Sequence, residues 1–199
     1  AAKALADTHA ALDAMPEDSV EAITIKRAAY AQAEADERLA RERLRADLFC
    51  AAFFAPKRRV NAAKVPLSGD LMRATEGQPM RPGVAELTCE LTSEYHFFHW
   101  RLAFPEVFAQ GGFDVVLANP PWEVSQLSEE EFFASRSQAI AALAGAERKR
   151  AIAALEHNDR RLWQQYLKAK HGYDAINSYA RDGGRYPLTA IGKLNLYAL

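Results

Sequence analysis

Residues 113–123 read FDVVLANPPWE, an almost unbroken apolar run that ends at Asn119 and two prolines. A short continuous apolar segment such as residues 115–118 is typical of a strand covered on both faces, as in a parallel α/β sheet. Proline cannot donate a backbone hydrogen bond, so the strand should stop at Pro120. We therefore predict an α/β fold in which Gly111–Gly112 turns the chain into a strand over residues 113–118.

Most of the remaining chain predicts helices, so we expect few strands. Residues 1–55 are rich in Ala, Glu, Arg and Leu and contain no glycine. A turn at Met15–Asp18 separates two helices, and Ser19 is a suitable N-cap for the second. Apolar spacing predicts one long helix from Glu21 to Ala55 that packs at its two ends and is solvated between them. The alternative is a coiled coil with a partner, although the heptad pattern is not sustained.

Residues 56–83 contain four prolines and three glycines, which predict a loop or hinge. We therefore divide the chain into residues 1–83, a long helical insertion with a proline-rich loop, and residues 84–199. Further helices are predicted over residues 84–99, 128–135, 137–157 and 159–180, and the Ala, Leu, Trp163 and Tyr166 positions of the last three are predicted to be core. A polar loop over residues 181–193 and a last helix that opens at Asn195 follow.

The net charge of −1 gives no overall positive field that would attract nucleic acid. Lys57–Arg59 and Arg148–Arg150 are local basic clusters, which either assist DNA binding or are solvated helix ends. The sequence has no apolar stretch of the roughly 18 residues that a membrane helix needs, and no signal peptide. We therefore expect a soluble, cytoplasmic protein without a membrane partner.

The cysteines and histidines give little support for a metal site. Cys50 and Cys89 have no CxxC partner, which argues against structural zinc or a disulfide framework and favours a reducing compartment. His96 and His99 are three residues apart, a spacing that permits a shared metal ion. No carboxylate or thiol stands at a matching offset, so we predict no metal.

The turn after the predicted strand has the chemistry of an amine-binding site. In parallel sheets, ligands bind outside the carboxyl ends of the strands. Pro120 and Pro121 fix the backbone and remove two donors, leaving the side-chain oxygen of Asn119 and the Pro120 carbonyl as rigid acceptors. Two acceptors suit an amino group, and they favour a pyramidal nitrogen with a more available lone pair. The alternative is a structural turn whose tryptophan covers the core.

Trp122 adds an aromatic surface beside these acceptors. It can stack on the flat group that carries the amine, and base–aromatic stacking is worth about 1–3 kcal/mol. Extruding a base from a duplex costs a few kcal/mol, so the ring can offset much of that cost.

FDVVLANPPW resembles motif IV, the NPPY/F/W signature of the S-adenosylmethionine-dependent enzymes that methylate exocyclic amines. The longer run FHWRLAFPEVFAQGGFDVVLANPPWE is similar to the Eco57I-type DNA adenine methylases of restriction-modification and phage-defence systems. Further along, GKLNLYAL resembles the start of motif V in the same family. The resemblance covers roughly residues 86–123 and 185–199.

This resemblance implies a fold, a reaction and a set of site residues. The fold would be part of a Rossmann-like class I methyltransferase domain over residues 84–199, with motif IV at 113–123, a helical insertion at 128–182 and the start of motif V at 193–199. Asn119 and Pro120 would hold N6 of a flipped adenine, Pro121 would stiffen the loop, and Trp122 would stack on the base. Asn195 and Leu196 would lie beside S-adenosylmethionine, and double-stranded DNA would be the partner, with nuclease or defence-system subunits as further ones.

The family's Gly-x-Gly cofactor turn has no counterpart in these 199 residues. We therefore expect a fragment of a longer enzyme that transfers nothing by itself. Two alternatives stay open. The same turn serves enzymes that methylate protein glutamine or RNA, and a non-catalytic helical docking or scaffold module could use it as a structural turn.

Overall fold

The computed structural model describes residues 2–119, 124–192 and 194–196, which divide into an N-terminal unit, residues 1–118, and a C-terminal unit, residues 119–199. The regular elements in the described residues are α-helices and one short 3-10 helix at Ala62–Lys64. The helices of the N-terminal unit are α1 (Ala2–Asp13), α2 (Val20–Glu34), α3 (Glu37–Phe54), α4 (Ser68–Glu76), α5 (Val84–Tyr95), α6 (Trp100–Ala103) and α7 (Pro105–Ala109). Those of the C-terminal unit are α8 (Glu129–Ala134), α9 (Gln138–Ala141), α10 (Gly145–Asn158) and α11 (Arg160–Asp182).

The predicted single helix from Glu21 to Ala55 is wrong, because the chain forms two helices there. Ser19 caps α2 as predicted, and its hydroxyl accepts a hydrogen bond from the Ala22 amide at 3.0 Å. The break follows α2, where the Asp36 side chain accepts from the amides of Arg38 and Leu39 at 2.7 and 3.3 Å. An aspartate that bonds to these amides starts a new helix instead of continuing the old one.

The proline-rich segment is more ordered than the predicted loop, since it contains the 3-10 helix and α4. α4 packs on α3, and buried side chains of Leu48, Ala74 and Val84 form the small core between α3, α4 and the start of α5. Gly77 ends α4 with a φ of 68°, a left-handed conformation that glycine adopts without strain.

The C-terminal unit is a helical bundle with one apolar core. Phe133 is fully buried and stacks on Tyr166, with ring centroids 5.7 Å apart. The other buried members of this core are Ile140, Ile152, Leu155 and Leu162. The predicted core positions of Trp163 and Tyr166 are confirmed, and the helices near 128–135 and 159–180 are present. The helix predicted over residues 137–157 is instead two helices, α9 and α10.

The α/β prediction, including the Rossmann-like sheet, is contradicted by the described residues, which form a helical structure. Residues 113–118 are not a strand, and Val115, Val116 and Leu117 are 78%, 66% and 97% exposed. An apolar run becomes a buried strand only when neighbouring strands pair with its backbone and other elements cover both faces. No described segment of this chain does either. With no sheet among the described residues, the aromatic residues before the run do not cover a sheet edge. Trp100, Phe104 and Phe108 pack around Phe113 instead.

None of the helices described here is long and apolar enough to cross a membrane.

Candidate functional site

Asn119, the first residue of the predicted site, is exposed and lies outside any helix or strand. It directly follows the exposed apolar run of residues 115–118. Pro120, Pro121 and Trp122 lie outside the described residues, so their roles stay predictions.

Within the C-terminal unit, the chain that follows the Asn-Pro-Pro-Trp-Glu segment lies beside the start of the predicted motif V. Val124, which follows the Asn-Pro-Pro-Trp-Glu segment, forms an isolated antiparallel bridge with Asn195. The Ser125 amide donates to the Leu194 carbonyl at 3.0 Å. Ser125 and Leu194 are both buried, with 5% and 2% of their surfaces exposed. The chain that follows the predicted amine site therefore lies beside Asn195, one of the two predicted cofactor residues.

Asn195 and Leu196, the predicted cofactor residues, are half-buried at this bridge. An amide and an aliphatic side chain in a partly covered position can contact a polar and an apolar part of a ligand.

Helix α11 fixes both segments through side chains that the sequence did not single out. The Asn177 amide nitrogen donates to the carbonyls of Ser125 at 2.7 Å and Tyr173 at 2.8 Å. One turn later, the Arg181 guanidinium donates to the Gly192 carbonyl at 2.6 Å. The i, i+4 spacing of these residues was the available signal, but polar residues at that spacing are common on solvated helices.

A part-buried tyrosine–carboxylate pair joins α8 to α11. The Tyr166 hydroxyl donates to Glu129 Oε1 at 2.9 Å. Burial and this hydrogen bond together raise the pKa of Tyr166 to about 12. Tyr166 is therefore a neutral donor that holds the bundle together, and it is not available as a base near neutral pH.

The two histidines at the predicted spacing have different surroundings. His96 ends α5 with a φ of 51°, whereas His99 Nε2 lies 2.7 Å from Asp47 Oδ1 on α3. Among the described residues, no group of three or more His, Cys, Asp or Glu side chains could hold a metal ion. Asp47 is distant from His99 in sequence, so offsets along the chain could not reveal this pair.

Comparison with known proteins supports the family resemblance. Residues 74–150 match the profile of the Eco57I restriction-modification methylase family. This match spans the Asn-Pro-Pro-Trp segment and supports a restriction-modification methyltransferase, but it does not reach Asn195 and Leu196. No curated protein and no solved structure matches the chain significantly.

Proposed function

We propose that this chain is part of a DNA methyltransferase that transfers a methyl group from S-adenosylmethionine to N6 of a flipped adenine, in a restriction-modification or phage-defence system. The family match supports the enzyme class. The observation that supports the proposal is the bridge between Val124 and Asn195, because it pairs the residue that follows the Asn-Pro-Pro-Trp-Glu segment with a proposed methyl-donor residue.

In this proposal the amine is held by two acceptors. The side-chain oxygen of Asn119 and the carbonyl of Pro120 accept the two N6 protons, which leaves the nitrogen lone pair directed at the methyl carbon. Trp122 stacks on the adenine and Pro121 keeps the turn rigid. Asn195 and Leu196 contact the methyl donor across the bridge.

The reaction is a direct in-line displacement. S-adenosylmethionine supplies an electrophilic methyl group on a sulfonium. As the new C–N bond forms, the C–S bond breaks, its electron pair stays on sulfur, and the nitrogen loses one proton to solvent. The residues contribute positioning and electrostatic stabilisation, and no covalent intermediate with the protein is needed.

The family's glycine turn for the cofactor has no counterpart in the 199 residues. We therefore propose that other residues of a longer protein supply it, and that this chain alone transfers no methyl group. Saturable binding of S-adenosylmethionine to the isolated chain at micromolar affinity would contradict this.

A second function is favoured by the helical structure itself. The regular elements of the described residues are helices, which suits a docking or scaffold module in which the Asn-Pro-Pro turn is only structural. The two functions differ in what they require of Asn119. A catalytic acceptor is needed for methyl transfer and not for folding. A residue of a structural turn contributes to stability and takes part in no methyl transfer.

The test is transfer of labelled methyl from S-adenosylmethionine to duplex DNA by the longer protein that contains this chain. Asn119→Ala should abolish labelling while the circular dichroism and the unfolding temperature stay unchanged. Asn158→Ala, at an exposed asparagine that ends α10, is the matched control and should label DNA normally. Labelled protein or RNA in place of DNA would move the proposal to those substrates, and absence of label from every substrate would leave the helical module.

A further inference from the structure

A cavity in the N-terminal unit is lined by none of the residues assigned to methyl transfer. It has a volume of about 490 Å³ and is lined by side chains from α1, α2, α3, the end of α5 and the α6–α7 region. Small-molecule sites in proteins usually have volumes of roughly 300–1,000 Å³, so the cavity can hold a compact ligand.

Carboxylates from four different helices line the cavity, and two of them, Asp13 and Asp47, have protein hydrogen-bond partners. The Tyr30 hydroxyl donates to Asp13 Oδ1 at 2.9 Å. Asp47, which is 8% exposed, lies 2.7 Å from His99 Nε2. Asp13 and Asp47 are thus held in fixed positions by protein partners. Each carboxylate can accept further hydrogen bonds, since its two oxygens offer about four lone-pair positions.

Two buried oxygen atoms on the cavity walls have no hydrogen-bond partner. They are Glu106 Oε2 on α7 and Thr92 Oγ1 on α5. His9 Nδ1 lies 3.7 Å from Glu106 Oε2, which is beyond hydrogen-bonding distance. Buried polar atoms are normally satisfied, so these two oxygens call for a donor that the surrounding protein does not provide.

The excess of negative side chains around the cavity favours a cationic ligand. Four carboxylates line the cavity, namely Asp13, Glu34, Asp47 and Glu106, against one guanidinium, Arg43, which pairs with Glu34. Even if both lining imidazoles carried a proton, negative groups would outnumber positive ones. Phe97, Phe98 and Phe104 add aromatic surface to the walls, and aromatic faces attract organic cations. The described residues offer no metal-binding cluster, so the cation that fits is organic.

We propose that this cavity binds a small organic ammonium ion, with Glu106 and Asp47 accepting hydrogen bonds from the ammonium group, Thr92 accepting one more, and the phenylalanine rings contacting the aliphatic part. The ligand is a compact aliphatic amine. Its binding does not depend on methyl transfer.

The test is isothermal titration calorimetry of the 199-residue chain with 1,5-diaminopentane and with 1,5-pentanediol, its uncharged analogue. An ionic strength of about 0.15 M screens non-specific surface attraction. The diamine should bind saturably, with one site per chain, and the diol should not bind. Failure of the diamine to bind, or equal binding of the diol, would overturn the proposal.

Substitutions of single lining residues test whether the diamine binds in this cavity. Glu106→Gln removes the charge with little change of shape, and it should weaken diamine binding by about tenfold or more, since charge-assisted hydrogen bonds are the stronger class. Glu76→Gln, at an exposed glutamate that ends α4, should leave binding unchanged. Thr92→Val keeps the side-chain shape, so it should weaken binding without unfolding the unit. Equal affinity in Glu106→Gln and Glu76→Gln would overturn the proposal, as would tighter binding of a lysine-rich peptide than of the diamine.

Discussion

Arg81 joins three parts of the N-terminal unit through one side chain. Its Nε and Nη2 donate to the two oxygens of Asp70 at 2.9 and 2.5 Å. Nη1 and Nη2 also donate to the carbonyls of Ala63 and Val65 at 2.9 and 2.8 Å. Asp70 is 1% exposed and also accepts from the Leu67 amide at 2.8 Å. Arg81 therefore ties the 3-10 helix and α4 to the chain just before α5.

Arg81→Met keeps much of the aliphatic side chain and removes every one of these donors. Leaving one partner of a buried ion pair uncompensated costs about 3–5 kcal/mol. The Arg81 side chain is 32% exposed, so solvent weakens the interaction, and we expect a loss of about 2–3 kcal/mol in the free energy of unfolding of this region.

The loss should depend on pH. The hydrogen bond from Arg81 holds the pKa of Asp70 below its ordinary value of 3.8. A lowered folded-state pKa gives stability that is present above the unfolded value and is lost as pH falls through the folded one. The difference between wild type and Arg81→Met should therefore be full near neutral pH and shrink as the pH falls below about 3.8.

Hydrogen exchange measured by mass spectrometry on peptides covering α4 and α5 is the suitable assay, because the chain has two units and a global transition would mix them. A loss of about 2 kcal/mol corresponds to roughly thirtyfold faster exchange by local opening. Arg43→Met breaks the exposed pair with Glu34 and is the control, expected to cost at most about 1 kcal/mol. If Arg81→Met changed exchange no more than Arg43→Met, the stabilising role given to the buried pair would be wrong.

Three further predictions concern the C-terminal unit. Phe133→Ala should destabilise it by about 3–5 kcal/mol in thermal unfolding, because Phe133 is fully buried, and a loss below about 1 kcal/mol would refute the packing. Glu129→Gln should lower the pKa of Tyr166 from about 12 in a spectrophotometric titration, whereas an unchanged value would contradict the contribution of this carboxylate. Asn177→Ala should cost about 1–3 kcal/mol and speed amide exchange near Ser125, and unchanged exchange there would contradict its bracing role.

The helices were largely predictable, because their signals are local. The Ser19 cap and the core positions Trp163 and Tyr166 follow from side-chain type and spacing within one segment. The break at Asp36 was also a local signal. It was missed because the flanking residues on both sides favour helix, and an N-cap inside such a stretch is easily overlooked.

The fate of the predicted strand and the pairing of polar residues could not be predicted from local signals. Both depend on residues that are distant in sequence. The run at residues 115–118 has the composition of a buried strand, yet burial requires neighbours that the described chain does not supply. The Asp47–His99 pair and the bridge between Val124 and Asn195 join residues that are far apart in sequence. One end of this bridge, Asn195, lies in the segment that resembles motif V, and the other, Val124, directly follows the segment that resembles motif IV.

The measurement that tests the central proposal most directly is nucleoside mass spectrometry of duplex DNA incubated with S-adenosylmethionine and the longer protein that contains this chain. The account predicts N6-methyladenine, which should be absent after treatment with the Asn119→Ala variant. DNA without any methylated nucleoside, from a folded wild-type protein, would contradict it, and so would an undiminished yield of N6-methyladenine from Asn119→Ala.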